Sequence, residues 1–394
     1  MDSPPVTKPP RQAEVATVAI DSGRLARARV HGAAILYRLY DVGYEIDLER
    51  VLALLTSSAA ERIRPVQGEA KAIHIQNPPI TVNLGAEHLA IGDRQADADV
   101  SARIFDFGVV SLRLRIPAPP DTTWPAFAAF GNRVDVAADV GPLFARALQQ
   151  MLQRIRPAVT RPAIAAVTED YAVFRITSLT DEHGAPLSGD ALCDEDVIPL
   201  LLNEQRPLSA SARRELLPHR FSYYTSDLAI LTWDNALILD PVPEEADVQY
   251  VLEFANAQLL ALRVYDALLN AELPRMYDRV AAARSRRVRR WTRRYAPLLA
   301  DLQAIVADST EVVERVENSL KVTGDVYLAR IYAAALEVFR GRDWRKGIDR
   351  KLGIIRETYE MLNAESEAFR AEFLEVAILL LIIAELFVGL ITRH

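Results

Sequence analysis

The stretch Phe221–Asp278 reads FSYYTSDLAILTWDNALILDPVPEEADVQYVLEFANAQLLALRVYDALLNAELPRMYD and decides the predicted fold. Two runs of β-forming residues, Leu228–Thr232 and Ala236–Leu239, flank an Asp-Asn turn pair at 234–235 and predict a hairpin. After the loop Pro241–Asp247, apolar residues recur every three or four positions, as they do on a helix. The stretch therefore predicts a joint between a mixed domain and a helical domain.

The chain before the joint mixes predicted strands and helices without regular alternation, which is typical of α+β proteins rather than doubly wound sheets. Apolar or alternating runs predict strands at Glu14–Ile20, Ala33–Tyr40, Ala70–Ile75, Ile104–Ile116 and Tyr171–Ile176. Helical spacing predicts helices at Leu48–Thr56 (with Asp47 as N-cap), Trp124–Phe130, Val140–Arg156, Asp190–Leu202 and Ser209–Leu217. We therefore predict an α+β fold with an antiparallel sheet in an N-terminal mixed α/β domain.

The chain after the joint is helix-forming almost throughout. Pro274 and Pro297 each remove a backbone donor, so we expect them to kink or divide the first long helical segment. Glycine-containing breaks at 324–325 and 341–343 separate the later segments. This pattern predicts a C-terminal antiparallel bundle of long helices, followed by a terminal apolar helix.

These patterns divide the chain into four parts. We predict a disordered tail at 1–11, an α+β domain at 12–247 that could subdivide near 157–168, a helical domain at 248–372 and a transmembrane helix at 373–394. The first part contains four prolines and lacks the apolar core of a secretory signal. We therefore expect a membrane-anchored protein whose soluble domain lies in the cytoplasm.

The composition excludes several classes of site. The 394-residue chain carries a net charge of −7 and one cysteine, Cys193, which excludes a disulfide framework and a cysteine-rich metal site. Acidic neighbours at 194–196 are expected to raise the pKa of that thiol and make it a poor nucleophile. The sequence also lacks a phosphate-binding glycine loop, a Gly-x-Ser-x-Gly elbow and a His-Glu-x-x-His motif. We predict no catalytic residue, cofactor or metal.

Polar and aromatic residues of the joint form the first candidate site. Glu253 and Asn256 are three positions apart on a largely apolar helix and therefore share a face. They either tie the helix to the hairpin through buried hydrogen bonds or belong to a ligand-binding cluster. The candidate set is Tyr223, Tyr224, Asp227, Trp233, Glu253, Asn256 and Gln258.

A basic segment, RVAAARSRRVRRWTRR at 279–294, forms the second candidate site. On a helix its arginines fall on one broad face; they are Arg279, Arg286, Arg287, Arg289, Arg290, Arg293 and Arg294. Three kinds of partner remain open: anionic lipid, RNA phosphates, or protein, which would be either the acidic helix with Glu311, Glu314 and Glu317 or another subunit.

The apolar tail VAILLLIIAELFVGLI at 376–391 predicts a membrane helix, with a buried helix of an oligomer as the alternative. Glu385 interrupts the tail and Glu375 precedes it. At about 100° per residue, the two glutamates, ten positions apart, are separated by about 80° around the helix, so both could face a neighbouring copy. We therefore predict a homo-oligomer that is attached to a membrane.

Several phrases of the sequence resemble the family named "required for meiotic nuclear division". They are Phe221-Ser222-Tyr223-Tyr224, Asp227-Leu228, Trp233-Asp234-Asn235-Ala236, Leu252–Gln258, Ser319–Val322, Asp325-Val326-Tyr327, Trp344, Lys351-Leu352 and Leu374-Glu375. The similarity runs from Glu169 to the C-terminus. It implies a bacterial member of a family whose eukaryotic relatives are inner-membrane mitochondrial proteins that support organellar translation and carry a C-terminal membrane span.

Three functions follow as hypotheses. The first is a membrane-anchored, non-enzymatic scaffold that tethers an unknown protein partner. The second is an RNA- or ribosome-associated factor that binds through the arginine-rich segment 279–294, although few aromatic residues interleave with its charges. The third is an enzyme whose pocket lies at the joint, within 221–258.

Overall fold

The computed structural model describes residues 25–55, 60–62, 73–75, 77–91, 94–137, 140–242, 247–285, 296–322 and 325–391. Within these ranges the α+β prediction is confirmed, since an N-terminal, mainly antiparallel sheet is followed by long helices. The predicted tail 1–11 and the predicted strand Glu14–Ile20 lie outside the described residues.

The described strands are β1 (Arg29–Asp41), β2 (Glu45–Ile46), β3 (Ala60–Arg62), β4 (Ile73–Ile75), β5 (Ile80–Ile91), β6 (Arg94–Ile104), β7 (Val109–Pro117), β8 (Thr122–Thr123), β9 (Val159–Thr160), β10 (Thr168–Thr180), β11 (His219–Phe221), β12 (Leu228–Leu231), β13 (Asn235–Leu239) and β14 (Leu320–Val322). The main sheet has the order β11-β12-β13-β10-β1-β7-β6-β5-β3, and β8 also pairs with β1. All its pairs are antiparallel except β10 with β13.

The described α-helices are α1 (Leu48–Leu54), α2 (Trp124–Ala137), α3 (Gly141–Ile155), α4 (Asp194–Leu201), α5 (Ala210–Leu216), α6 (Asp247–Ser285), α7 (Ala296–Asn318), α8 (Val326–Val338) and α9 (Gly341–Ile391). Short 3-10 helices occupy Arg156–Ala158 and Gly189–Ala191. The predicted cap of α1 is confirmed, because the Asp47 side chain accepts a hydrogen bond from the Arg50 backbone N–H.

The main sheet is covered on both faces, and the central strand β1 shows why. Successive side chains of a strand point to opposite faces. Ala34 and Leu36 therefore join the core that includes α2, α3 and α4, whereas Ile35, Tyr37 and Leu39 join the core formed with α6 and α8. The near-continuous apolar run of β1 is typical of a strand buried on both sides.

Helix α6 connects the sheet to the helical bundle. Its residues from Val248 to Leu262 are all buried, because the sheet covers one side and α7 and α8 cover the other. Farther along, Leu269 and Met276 pack in a separate core with α7 and α9. The helix that begins at the predicted joint thus belongs to both halves of the molecule.

Three local expectations require correction. The predicted strand Ile104–Ile116 is instead the end of β6, a turn and β7, because Gly108 adopts a left-handed conformation at φ +87°. The hairpin of β5 and β6 is absent from the prediction. Pro274 does not divide its segment, since α6 continues through it to Ser285.

The predicted transmembrane helix at 373–394, and with it the membrane-anchored localisation, is wrong for the described residues. Residues 373–391 are the distal part of α9 rather than a separate helix. None of the described helices combines the length and apolar character that crossing a membrane requires. Charges shorten the apolar run: Val376–Ala384, between Glu375 and Glu385, contains nine residues, about 14 Å of helix against a hydrocarbon core of about 30 Å.

Candidate functional site

Glu253, the first polar residue predicted at the joint, forms a buried ion pair with Arg103 of β6. Their side chains are only 1% and 3% exposed. The Arg103 guanidinium also donates to Thr81 Oγ1 at 3.2 Å and lies 4.7 Å from the centre of the Tyr250 ring. The guanidinium of Arg103 thus makes these contacts inside the core, between the sheet and α6.

Gln258 anchors α6 to the other two helices that cover it. Its amide nitrogen donates to the Val316 carbonyl of α7 at 2.7 Å, and its amide oxygen accepts from the Tyr332 hydroxyl of α8 at 2.5 Å. Ser319 Oγ lies 3.4 Å from the same amide nitrogen. Gln258 is 3% exposed, so these are interior bonds that stabilise the helix packing.

Asn256 is 1% exposed but has a different role from Gln258. Its amide nitrogen donates to the Leu252 carbonyl of its own helix at 3.0 Å. Its amide oxygen is buried without a hydrogen-bond partner among the described atoms. Among the described residues, Asn256 therefore forms no hydrogen bond that connects α6 to another element.

The other four residues of the joint lie at the surface. Tyr223 and Tyr224 are 65% and 67% exposed, and Trp233 is 48% exposed. Asp227 accepts hydrogen bonds from the backbone N–H groups of both tyrosines, at 2.8 and 3.0 Å, and so fixes their turn. Trp233 lies in the β12–β13 turn, and the Arg340 guanidinium carbon lies over its ring, 5.8 Å from the ring centre.

The seven predicted joint residues therefore separate into two groups and do not line one pocket. The core contains the side chains of Glu253, Asn256 and Gln258, and they are buried. The aromatic residues are exposed to solvent. No group of three or more His, Cys, Asp or Glu side chains is arranged to hold a metal ion within the described ranges.

Two partly buried ion pairs, which the residue pattern did not single out, connect α6 to its neighbours farther along its length. Arg263 pairs with Glu169 of β10 and lies 5.9 Å from the Trp344 ring, while Lys351 of α9 pairs with Asp266. Burial raises the pKa of Glu169, and the charge of Arg263 opposes that rise. Trp344 and Lys351 are among the residues that carry the family resemblance. That resemblance was the feature of the sequence that could have pointed to them.

Most of the predicted basic face lies outside the described residues: Arg286, Arg287, Arg289, Arg290, Arg293 and Arg294. Arg279 is described and pairs with Asp301 of α7 at 2.9 Å. Two of the glutamates proposed as partners are already engaged, because Glu311 bonds to Tyr44 and Arg315, and Glu317 pairs with Arg345 at 2.7 Å.

Cys193 lies at the start of α4, beside a surface cavity of about 430 Å³. Its thiol donates to Asp196 Oδ2 at 2.8 Å. Burial and this hydrogen bond raise the pKa of the thiol. The thiolate is therefore disfavoured, in line with its prediction as a poor nucleophile.

Two similar turns meet at one end of the sheet. Val42 donates its backbone N–H to the Gly108 carbonyl at 2.9 Å, so the sequences Tyr-Asp-Val-Gly at 40–43 and Phe-Asp-Phe-Gly at 105–108 are in contact. Burial raises the pKa of Asp41 to about 7, although a hydrogen bond from the Gly43 backbone acts to lower that pKa. Burial also raises the pKa of Asp106, whose carboxylate accepts from the Asn77 amide.

Comparison with known proteins places this architecture in a family without an assigned activity. Residues 31–245 match the family described as "Uncharacterized protein MJ0711, N-terminal domain". The similar protein "Uncharacterized protein MJ0711" of Methanocaldococcus jannaschii is 28% identical over 195 residues, which cover 48% of this chain and 58% of that relative. No solved structure matches the chain. Because the matched range includes more than half of its residues, the chain belongs to the family of uncharacterized protein MJ0711, N-terminal domain.

Proposed function

We propose that this protein is a non-enzymatic scaffold that assembles with further copies of itself through the distal part of α9. The observation that carries the proposal is an apolar helix segment that no other described part of the chain covers. The proximal part of α9 packs through Ile348, Leu352, Ile355 and Leu362 in the core shared with α6 and α7. The distal part extends beyond that core.

The distal part of α9 exposes large apolar side chains on every side. Their exposed fractions range from 42% to 70%, and they are Phe373, Leu374, Val376, Ile378, Leu379, Leu380, Leu381, Ile382 and Ile383. Successive residues of a helix are about 100° apart, so an unbroken run from 378 to 383 surrounds the axis. One amphipathic neighbour covers only one side of such a helix; several neighbours are needed.

Further copies of the same segment can meet this requirement. Identical apolar helices bring no unmatched charged surface into the contact, and closed symmetric assemblies are the usual form of homo-oligomers. Glu375 precedes the apolar tail 376–391 and Glu385 interrupts it, and both residues are exposed to water. The apolar surface alone therefore favours a bundle of α9 segments.

The interior of the joint supports a structural rather than a catalytic role. Glu253 and Gln258 are occupied by Arg103, Tyr332 and Val316, so the polar groups of the joint hold the fold together. The resemblance to the "required for meiotic nuclear division" family remains a prediction. Of the seven arginines on which the RNA-binding hypothesis rests, the structure describes Arg279, and that residue pairs with Asp301.

Light scattering coupled to size-exclusion chromatography of the purified full chain tests this proposal. The wild-type chain should elute as a multi-copy species, and Leu379→Glu combined with Ile383→Glu should reduce its mass to that of one chain. Leu268→Glu provides a control, since Leu268 is a 43% exposed leucine of α6 outside the distal segment. A wild-type chain that remains monomeric at high concentration would contradict the proposal.

A further inference from the structure

Tyr223 and Tyr224 form a fixed aromatic pair at the protein surface. Their ring centres are 4.8 Å apart and their planes meet at 84°. Besides the two bonds to Asp227, the Ser222 hydroxyl donates to the Tyr224 carbonyl at 2.7 Å. The turn is thus held in place while both rings stay exposed, so a ligand would find them already oriented.

A third ring, from the first turn of α8, completes the cluster. The ring centre of Tyr327 lies 5.5 Å from that of Tyr223, with an angle of 52° between the planes. Tyr223 is therefore the central ring and contacts a tyrosine on each side. The Tyr223 plane is inclined to both of its neighbours, so the cluster can present more than one ring face to a single bound group.

Carboxylates surround this cluster. Asp227 lies in the tyrosine turn, Asp325 caps α8 by accepting from the Tyr327 and Leu328 backbone N–H groups, and Asp240 follows β13. Burial, and then the negative charges of Asp227, Asp240 and Asp325, raise the pKa of Tyr327. One cation, Arg330, lies nearby over the Phe221 ring at 5.7 Å. The carboxylates outnumber it, and the local charge is negative.

We propose that Tyr223, Tyr224 and Tyr327 form a docking site for an arginine or lysine side chain of a basic segment in a protein partner. A cation is attracted to the face of an aromatic ring, and nearby carboxylates strengthen that attraction. The neighbouring Phe221 ring already has a guanidinium group over it, that of Arg330 at 5.7 Å.

The open shape of the cluster favours a peptide over a small ammonium compound. Tyr223 and Tyr224 keep about two thirds of their surface exposed, at 65% and 67%, so they cannot enclose a free ligand. A peptide gains further contacts on either side of the anchoring side chain. The proposal is independent of self-assembly, since it uses the joint and α8 rather than the distal part of α9.

Fluorescence anisotropy with a fluorescein-labelled nona-arginine peptide and the full chain tests the site. Tyr223→Ala combined with Tyr224→Ala should weaken binding by about tenfold, the effect of losing two exposed cation–ring contacts. Tyr223→Phe keeps the ring and should bind within about twofold of wild type. Tyr277→Ala is the matched control, because Tyr277 is a 54% exposed tyrosine that lies on α6, outside the cluster.

Asp325→Asn gives a second, independent measurement. Asparagine is also a good N-cap, so the start of α8 should remain intact while one negative charge is lost, and binding should weaken about threefold. Folding of each variant is checked by its circular-dichroism melting curve. Unchanged binding by the double alanine variant and by Asp325→Asn would overturn the proposal. Displacement of the peptide by tetramethylammonium at equimolar concentration would overturn the peptide as the ligand.

Discussion

Arg103 of β6 and Glu253 of α6, 150 positions apart in the chain, form an ion pair inside the core between the sheet and the helical bundle. Neither side chain is more than 3% exposed. The pair fixes the position of α6 on the sheet, because a buried charge without its counter-charge strongly destabilises the folded state.

Removal of one partner of this pair should be costly. Arg103→Met leaves the Glu253 carboxylate buried without its counter-charge, and we expect a loss of about 3–5 kcal/mol in the free energy of unfolding. Combining Arg103→Met with Glu253→Leu should restore much of that loss, because neither charge of the pair then remains in the core. Urea denaturation of the two single variants and the double variant measures the coupling. Additive losses would show that the two side chains do not depend on each other.

Gln258 and Asn256 should differ in their contributions to stability. Gln258→Leu leaves the Tyr332 hydroxyl without its acceptor and the Val316 carbonyl without this donor, so we expect a loss of about 1–3 kcal/mol. Asn256→Ala removes a bond within one helix and also a buried, unpartnered oxygen, so its loss should not exceed about 1 kcal/mol. The same denaturation experiment compares them. A larger loss for the asparagine variant would contradict the separation of their roles.

The contact between the two Asp-x-Gly turns should depend on glycine at 108. A β-carbon there would lie 1.9 Å from the Gly43 carbonyl oxygen, and the backbone is left-handed at φ +87°. Gly108→Ala should therefore cost more than about 4 kcal/mol or prevent folding. Gly85→Ala is the matched control: its φ is +100°, yet nothing lies within 4 Å of the added carbon, so only the backbone strain of about 1–2 kcal/mol remains. Equal losses, measured by thermal denaturation, would mean that the turns separate without cost.

Asp41 should make stability depend on pH. Its pKa is about 7 in the folded protein, against 3.8 for an ordinary aspartate, so the folded state holds this proton more tightly than the unfolded state does. The stabilisation is complete below pH 4 and is lost as the pH rises towards 7. Asp41→Asn, which mimics the protonated form, should therefore gain stability relative to wild type between pH 4 and pH 7, by a few kcal/mol at about 1.4 kcal/mol for each unit of pKa.

Urea denaturation at pH 5 and pH 8 measures the difference between Asp41→Asn and wild type. Glu215→Gln serves as the control, because Glu215 is an exposed carboxylate of α5. A difference that stays constant across the range would show that Asp41 ionises equally in both states.

Local patterns explain which elements could be predicted. The hairpin of β12 and β13 and the cap at Asp47 depend on a few neighbouring residues, and the structure has them where the sequence indicated. Strand β5 was missed although Ile80, Val82 and Leu84 alternate with polar residues, because the alternation stops at Gly85, where a β-bulge shifts the register. In the distal part of α9 the apolar run was evident, but a membrane span was the wrong inference from it.

By itself the sequence determined the α+β class, the long helices after the joint and the absence of known catalytic motifs, since these follow from periodicity and spacing along the chain. The tertiary structure alone decided which polar residues are interior partners and which aromatic residues face solvent. Glu253 and Tyr223 occur in the same stretch of sequence, yet one pairs with Arg103 in the core and the other stands two-thirds exposed, at 65%. Burial and pairing depend on segments distant in the chain, and no pattern within a single segment specifies those neighbours.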